Sequence, residues 1–193
     1  MMHKVNKKND LRVKRTEKVI FEALIALTIK KGFSAVTVSD ITQAASINRA
    51  TFYRHYKDKF DLLNQYTQNV YSMLDIQSTR VKKRDYHSLP KNLVNIFEHV
   101  RENAIFYRVM LGQNGDPEFT EKIRTYIKKR IRSSLPVDLK ADEKMIDLFI
   151  TYSANASFGA ILWWLEHNMP YSSEKMIHII YQLEKENLQI LLD

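Results

Sequence analysis

Side chains able to recognise nucleic acid are concentrated in one short stretch of the sequence, residues 37–59. Arg49 can pair with guanine through two hydrogen bonds, and Ala50 or the methyl group of Thr51 can contact a thymine methyl group. These residue types stand side by side in the chain, which suits contact with neighbouring bases. The stretch therefore predicts direct contact with the edges of DNA bases.

The same stretch carries donors suited to phosphate oxygens. Tyr53, His55 and Lys59 follow the base-reading segment, and Thr37 stands at a helix start, where backbone N–H groups favour an anion. The alternative for Tyr53 and His55 is that they fill a helical core, a role we assign to Phe52 on the opposite face. The ten residues predicted to contact DNA are Thr37, Ser39, Asn48, Arg49, Ala50, Thr51, Tyr53, Arg54, His55 and Lys59.

Two short helices and a tight turn must position these donors. Thr37 is a favourable N-cap, and Asp40 three residues later is close to a capping box. Residues 45–47 leave room for only a three-residue turn before Asn48 caps the second helix, and Asp58 caps a long third helix. Two helices joined by so short a turn are the outline of a helix-turn-helix, whose second helix enters the major groove of DNA.

The positive charge of the chain lies in the same region. Residues 1–60 hold 13 Lys and Arg against 5 Asp and Glu, whereas residues 61–193 hold 17 of each. A basic tail kept for solubility is the alternative explanation. Together with a helix-turn-helix, the charge favours DNA as the partner, because neutralising phosphates is the main sequence-independent term in binding.

The composition predicts an all-α protein, and the sequence carries no Gly-rich phosphate loop, no GxSxG motif and no HExxH motif that would indicate an enzyme. Four Gly and four Pro are few for 193 residues, and 45% hydrophobic residues suffice for a core. Without Cys, disulfides and thiolate sites are excluded, which suits a cytoplasmic protein. We expect no cofactor and no metal site, although a catalytic group assembled only in three dimensions is left open. We also expect no signal peptide and no membrane span.

Apolar periodicity and helix breakers divide the chain into two domains. A DNA-binding domain of residues 1–63 follows a basic arm at residues 1–9, and its last helix continues to about residue 81. Residues 80–90 resemble a linker, and a larger helical regulatory and dimerisation domain spans residues 64–193. The predicted helices cover residues 10–31, 37–44, 48–55, 58–81, 91–111, 118–133, 141–167 and 173–192.

The motif closely resembles the DNA-binding domain of TetR-family transcriptional regulators over about residues 10–65. Two positions depart from the family pattern: Ser46 stands where the turn usually carries Gly, and Ala50 stands where Gly is commonest. A non-Gly residue adopts the left-handed conformation only at some cost. The residues that carry the resemblance are Thr37, Val38, Ile41, Ala44, Ala45, Ile47, Ala50, Thr51, Phe52, Tyr53, His55, Tyr56, Lys59 and Leu62.

The resemblance implies a homodimer formed through the last two helices, residues 141–167 and 173–192. The sequence supports this independently, because residues 149–165 are apolar nearly all round and include small residues that allow close helix approach. An ordinary buried central helix is the alternative.

The resemblance also implies a pocket for a small-molecule effector in the C-terminal domain. An aromatic residue at helical spacing is more often part of a core than of a ligand pocket. The candidate lining residues are Tyr66, Phe97, Phe106, Tyr107, Tyr126 and Trp163.

Three hypotheses follow. The first is a repressor that binds a palindromic operator as a dimer and is released by a small-molecule effector. The second is an activator, or a regulator controlled by a protein partner. The third is a basic protein that binds nucleic acid without sequence preference.

Overall fold

The computed structural model of the chain describes residues 7–78, 91–136, 139–188 and 191. Within these ranges the secondary structure consists of nine α-helices, with no strand, as the sequence predicted. The helices are α1 Lys7–Lys31, α2 Val38–Ala44, α3 Arg49–His55, α4 Lys59–Ser78, α5 Lys91–Glu102, α6 Ala104–Leu111, α7 Pro117–Arg132, α8 Glu143–Glu166 and α9 Ser173–Leu188.

One predicted helix, residues 91–111, is two helices in the structure. The chain leaves helical geometry at Asn103, where φ is −113° and ψ is 29°. The backbone N–H and the side-chain Nδ2 of Asn103 both donate to the carbonyl oxygen of His99, at 3.1 and 2.9 Å. An Asn side chain competes in this way with the regular helix pattern, which accounts for the break. The predicted linker and the first six residues of the predicted arm lie outside the described residues.

The first compact unit comprises residues 1–73 together with residues 113–115. Its core is built from α1 to α4 around the fully buried side chains Ile20, Leu24, Ile41, Phe52 and Leu62. The loop at residues 113–115 belongs to this unit through a backbone bond, in which the Phe33 N–H donates to the Asn114 oxygen at 2.8 Å.

The second compact unit comprises residues 74–112 and 116–193. In it α7 packs along α8, and α5 packs against α9. Trp164 is fully buried, and its ring centroid lies 5.5 Å from that of Phe97. Its Nε1–H donates to the backbone carbonyl oxygen of Tyr171. A smaller cluster forms around Phe149, Ile150 and Leu191.

Helix α8 leaves an apolar stripe exposed. Its exposed large hydrophobic residues are Met145, Leu148, Tyr152 and Trp163. Ala156 and Gly159 are also exposed, so the stripe repeats at intervals of three and four residues, which is one face of a helix. Among the described helices, α8 alone is long and apolar enough to cross a bilayer, a criterion that core helices of soluble proteins also meet.

Candidate nucleic-acid interface

A network of polar contacts fixes the start of α2. The Thr37 side chain accepts from the Asp40 N–H at 3.2 Å, and the Asp40 carboxylate accepts from the Thr37 N–H at 2.8 Å, which completes the expected capping box. Asp40 also accepts from the Thr37 hydroxyl group at 2.6 Å and from the Lys31 ammonium group at 2.7 Å. The hydrogen bonds from Lys31 and Thr37 hold the pKa of Asp40 well below its ordinary value.

A tight turn connects α2 to α3. The Ile47 N–H donates to the backbone carbonyl oxygen of Thr42, and the Ser46 N–H donates to that of Gln43. This pair of bonds defines a Schellman motif. Ser46 has a φ of 52°, the left-handed conformation that the resemblance indicated for a position where Gly is usual. A non-Gly residue adopts this conformation at the steric cost of its Cβ atom.

Helix α3 presents a polar face and buries an apolar one. Asn48 caps the helix by accepting from the Thr51 N–H at 2.7 Å. Phe52 is fully buried, as expected, whereas Tyr53 on the neighbouring face is 55% exposed. Thr51 is half-buried. The other predicted DNA contacts on this surface are all exposed: Thr37, Ser39, Asn48, Arg49, Ala50 and Arg54.

His55 is less accessible than the sequence led us to expect. Its side chain is only 10% exposed, and its Nδ1 lies 3.7 Å from the carboxylate of Glu17 on α1. Its ring also packs beside that of Tyr56. These contacts hold the imidazole at the joint between α3 and α1, which favours the alternative that His55 belongs to the core of this unit.

The ammonium group of Lys59, a predicted phosphate contact, binds backbone oxygens of the protein itself. Its Nζ donates to the carbonyl oxygens of Phe33, Ser34 and Val36, at 2.7, 2.9 and 2.8 Å. An ammonium group has three N–H donors, and three acceptors from the α1–α2 connection are within reach of them. The side chain therefore stabilises the α1–α2 connection. The sequence did not indicate these contacts, because the partners of Lys59 lie 23 to 26 residues away.

Lys57 was absent from the sequence predictions. It lies in the short connection between α3 and α4 and is exposed. Its backbone N–H donates to the Asp61 carboxylate at 2.8 Å, which fixes the backbone and leaves the side chain directed outward. The sequence did offer a signal for Lys57, since it is a basic residue just after α3, the helix that enters the major groove in this motif.

The predicted effector-pocket residues have different surroundings. In the first unit, the Tyr66 ring stacks on Phe21 with centroids 4.0 Å apart, and burial raises the pKa of its hydroxyl group. In the second unit, Phe97, Phe106 and Tyr107 are buried. Phe106 packs edge-on against Tyr107 and Phe119.

The other two members of that set, Tyr126 and Trp163, are more open. Tyr126 is half-buried. Trp163 is 41% exposed, and its ring stacks on His167 with centroids 4.7 Å apart. A surface depression of about 370 Å³ in the second unit is lined by none of the six predicted residues; its walls are Arg132, Leu135, Pro136, Leu139, Ala141, Glu143 and Ile146.

Two family models match the chain. The one described as "Bacterial regulatory proteins, tetR family" matches residues 20–66, and the one described as "Transcriptional regulator C-terminal region" matches residues 87–185. The first range includes the helix-turn-helix, and the second covers about half of the chain.

Two of the similar curated proteins are named as transcriptional regulators. The uncharacterized HTH-type transcriptional regulator YxbF of Bacillus subtilis (strain 168) is 21% identical over 178 residues, which is 86% of this chain and 44% of YxbF. The dhaKLM operon transcriptional activator DhaS of Lactococcus lactis is 30% identical over 93 residues, which is 48% of this chain and 47% of DhaS. The matches therefore span less than half the length of these two relatives.

Solved structures share the fold. A TetR transcriptional regulator from Streptococcus agalactiae 2603V superposes with a TM-score of 0.66 and 22% identity, over 92% of this chain and 98% of that one. The dihydroxyacetone kinase operon activator DhaS gives a TM-score of 0.60, also at 22% identity and over the same shares of the two chains.

Proposed function

We propose a mode of action for this chain from the premise that it belongs to the TetR family of bacterial transcriptional regulators. It is a DNA-binding transcriptional regulator, as the sequence predicted, and regulators of this family bind operator DNA and function as dimers. The proposal is that it represses transcription as a homodimer on a palindromic operator and leaves the operator when a small molecule binds. The proposed function is one of binding, with no catalysed reaction.

The exposed N-terminal end of α3 carries the proposal. Arg49 and Ala50 are exposed at the end of the helix that enters the major groove in this motif, next to the Asn48 cap. Arg49 would read a guanine, and Ala50 would contact a thymine methyl group. Tyr53 and Lys57, which are both exposed, would contact phosphate oxygens.

The homodimer would form through α8 and α9. The exposed stripe on α8 leaves Leu148 and Tyr152 at 64% and 58% exposure, and Leu183 on α9 is 63% exposed. Exposed apolar side chains in a continuous row mark interaction surfaces, because their transfer from water is favourable. A second copy presenting the same stripe would bury both, as a two-fold axis requires.

An effector would act by shifting the dimer away from the spacing that fits two successive major grooves, roughly 34–36 Å for half-sites one turn apart. Its effect is limited by the difference between its affinities for the two states. We place the effector in the second domain, residues 64–193, among Phe97, Phe106, Tyr107 and Tyr126.

One observation supports a second candidate function. Phe97, Phe106 and Tyr107 are at most 5% exposed; Phe97 packs on Trp164, and Phe106 packs on Tyr107 and Phe119. A filled aromatic core of this kind leaves less room for a small ligand than an open pocket would. It therefore favours a regulator controlled by a protein partner, or an activator. The relative DhaS is described as an activator.

Selection of bound sequences from random duplex DNA at near-physiological salt tests the main proposal. Recovery of an inverted repeat is expected, and the distance between its half-sites gives the separation of the recognition helices. Recovery of single, unpaired half-sites would contradict the dimeric operator, and a population no different from the starting DNA would contradict sequence-specific binding by the protein alone.

A further inference from the structure

Lys59 is a basic residue whose ammonium group is close to backbone oxygens beside the DNA-binding helix. It is the first residue of α4, and its ammonium group lies within 2.9 Å of three backbone oxygens, those of Phe33, Ser34 and Val36. The three N–H donors of an ammonium group match three acceptors one for one. The Lys59 side chain therefore binds the backbone of the α1–α2 connection.

Two aromatic rings also lie close to this ammonium group. Its Nζ lies 4.8 Å from the centroid of the Phe33 ring and 5.2 Å from that of the Phe60 ring, and the two rings meet edge to face. The faces of aromatic rings attract a cation, as carbonyl oxygens do. Carbonyl dipoles and ring faces together stabilise the charge at this site.

The position of these contacts in the chain gives them a function. Residues 33–36 run directly into Thr37, the cap that begins the helix-turn-helix, and Lys59 follows the end of α3 by four residues. Lys59 therefore joins the chain before the motif to the chain after it, across a sequence separation of 26 residues from Phe33. The contacts of Lys59 therefore close residues 33–59, which contain the motif, into a ring of chain.

We infer that Lys59 is a positioning residue for DNA recognition. Its ammonium group holds residues 33–36 against the start of α4 and thereby fixes how α2 and α3 are presented to DNA. The inference rests on the proposed function, in which the end of α3 reads bases. Because docking errors of about 1 Å are costly in preorganised sites, loosening this ring lowers the affinity for the specific sequence more than the affinity for DNA in general.

A phosphate contact is the competing role, and the salt dependence of binding separates the two. Each phosphate neutralised by a cation contributes about 0.9 to the slope of log K against log salt concentration. Lys57 provides a matched comparison, since it is exposed, lies two residues away and carries the same charge.

The experiment compares full-length Lys59→Met and Lys57→Met with the unmodified protein. The probes are the duplex recovered by selection and a scrambled duplex of equal length, each titrated over a range of salt concentrations. For Lys59→Met we expect an unchanged salt slope and about a tenfold loss of affinity for the selected duplex only. For Lys57→Met we expect the slope to fall by about 0.9 and both duplexes to bind more weakly.

Hydrogen exchange of the free protein tests the ring without any DNA. Amides of residues 33–41 should exchange faster in Lys59→Met than in Lys57→Met. Lys59→Arg, whose planar donors cannot reach three converging oxygens as a tetrahedral ammonium group does, should fall between the unmodified protein and Lys59→Met. Thermal melts check that each variant folds. If Lys59→Met does not fold, the comparison with Lys57→Met is made with Lys59→Arg instead.

Three results would overturn the inference. A lower salt slope in Lys59→Met would make the residue a phosphate contact. Unchanged exchange would mean that no ring is held. Faster exchange with an unchanged ratio of selected to scrambled affinity would leave Lys59 with structural importance alone. Failure to select any sequence would instead count against the proposed function, while the exchange result would still decide whether the ring exists.

Discussion

The ammonium group of Lys31 lies 2.7 Å from the carboxylate of Asp40, and this contact joins the last turn of α1 to the first turn of α2. The same carboxylate accepts the N–H and hydroxyl hydrogen bonds of Thr37. One side chain therefore both caps α2 and links it to the preceding helix, which makes it a sensitive point in the helix-turn-helix.

Acidification should weaken this link in a defined direction. The pKa of Asp40 is lowered from its ordinary value of about 3.8 by the hydrogen bonds from Lys31 and Thr37. A lowered pKa in the folded state contributes stability that is present above the unfolded value and lost as the pH falls below it. Urea unfolding of Asp40→Asn should show a lower midpoint at pH 7, and the difference from the unmodified protein should shrink below about pH 4. Asp147→Asn, which removes a surface carboxylate of α8 that lies 3.7 Å from the Arg132 guanidinium group, is the control and should lower the midpoint less; an Asp40→Asn deficit that persists undiminished at pH 3 would contradict the assignment.

Ser46→Gly should stabilise the first unit. Ser46 has a φ of 52°, and a left-handed conformation costs a non-Gly residue about 1 kcal/mol that Gly avoids. Chemical denaturation should give a free energy of unfolding higher by up to about 1 kcal/mol, reduced by the greater entropy of Gly in the unfolded chain. Ser72→Gly, at an exposed helical position of α4, should instead lose about 0.5 kcal/mol. Equal losses in both variants would show that the turn is unstrained.

Arg49 and Tyr53 should differ in what their removal does to specificity. Arg49→Ala should cost about 1–3 kcal/mol of operator binding and relax the preference at one base pair, because the bidentate guanine contact is lost. Tyr53→Phe removes one phosphate donor and should weaken all sequences alike. Competition binding against operators changed one base pair at a time distinguishes these outcomes. A similar loss of preference in both variants would contradict this division of roles.

Gly159 offers a test of the dimer face that leaves the protomer intact. A Cβ atom added at Gly159 meets nothing within 4 Å in the protomer, and replacing Gly within a helix gains about 0.5–1 kcal/mol of helix stability. Gly159→Leu should therefore keep or raise the thermal stability of the fold while weakening dimerisation, which sedimentation equilibrium measures. Glu143→Leu, at an exposed position on the opposite side of α8 from Leu148, is the control and should leave dimerisation unchanged. Dimerisation unaffected by Gly159→Leu would place the interface elsewhere.

The sequence predicted the local features of the DNA-binding unit well. The capping box of Thr37 and Asp40 and the cap at Asn48 each depend on residues three positions apart, and such interactions are encoded by residue type and spacing. The left-handed conformation at Ser46 was indicated instead by the family pattern, in which this position usually carries Gly. The all-α fold followed from the scarcity of breakers and the apolar periodicity.

The features that the sequence did not predict depend on distant residues. The partners of Lys59 lie 23 to 26 positions away and those of His55 lie 38 positions away on α1, so spacing could not indicate that these side chains turn inward. The apolar pattern continues through Asn103, which concealed the break between α5 and α6. In α8, apolar residues lie on every side, so the pattern could not show that Trp163 is exposed while Trp164 is fully buried.

The shortness of the two motif helices has a consequence for how the molecule acquires its DNA-recognising surface. Helices α2 and α3 have seven residues each, whereas isolated helices shorter than about 12–15 residues are marginal in water. Neither helix is therefore stable in isolation, and both depend on packing against the scaffold of α1 and α4. The surface that contacts bases exists only while residues far apart in the chain are packed together, so any change that loosens the scaffold also removes the recognition surface.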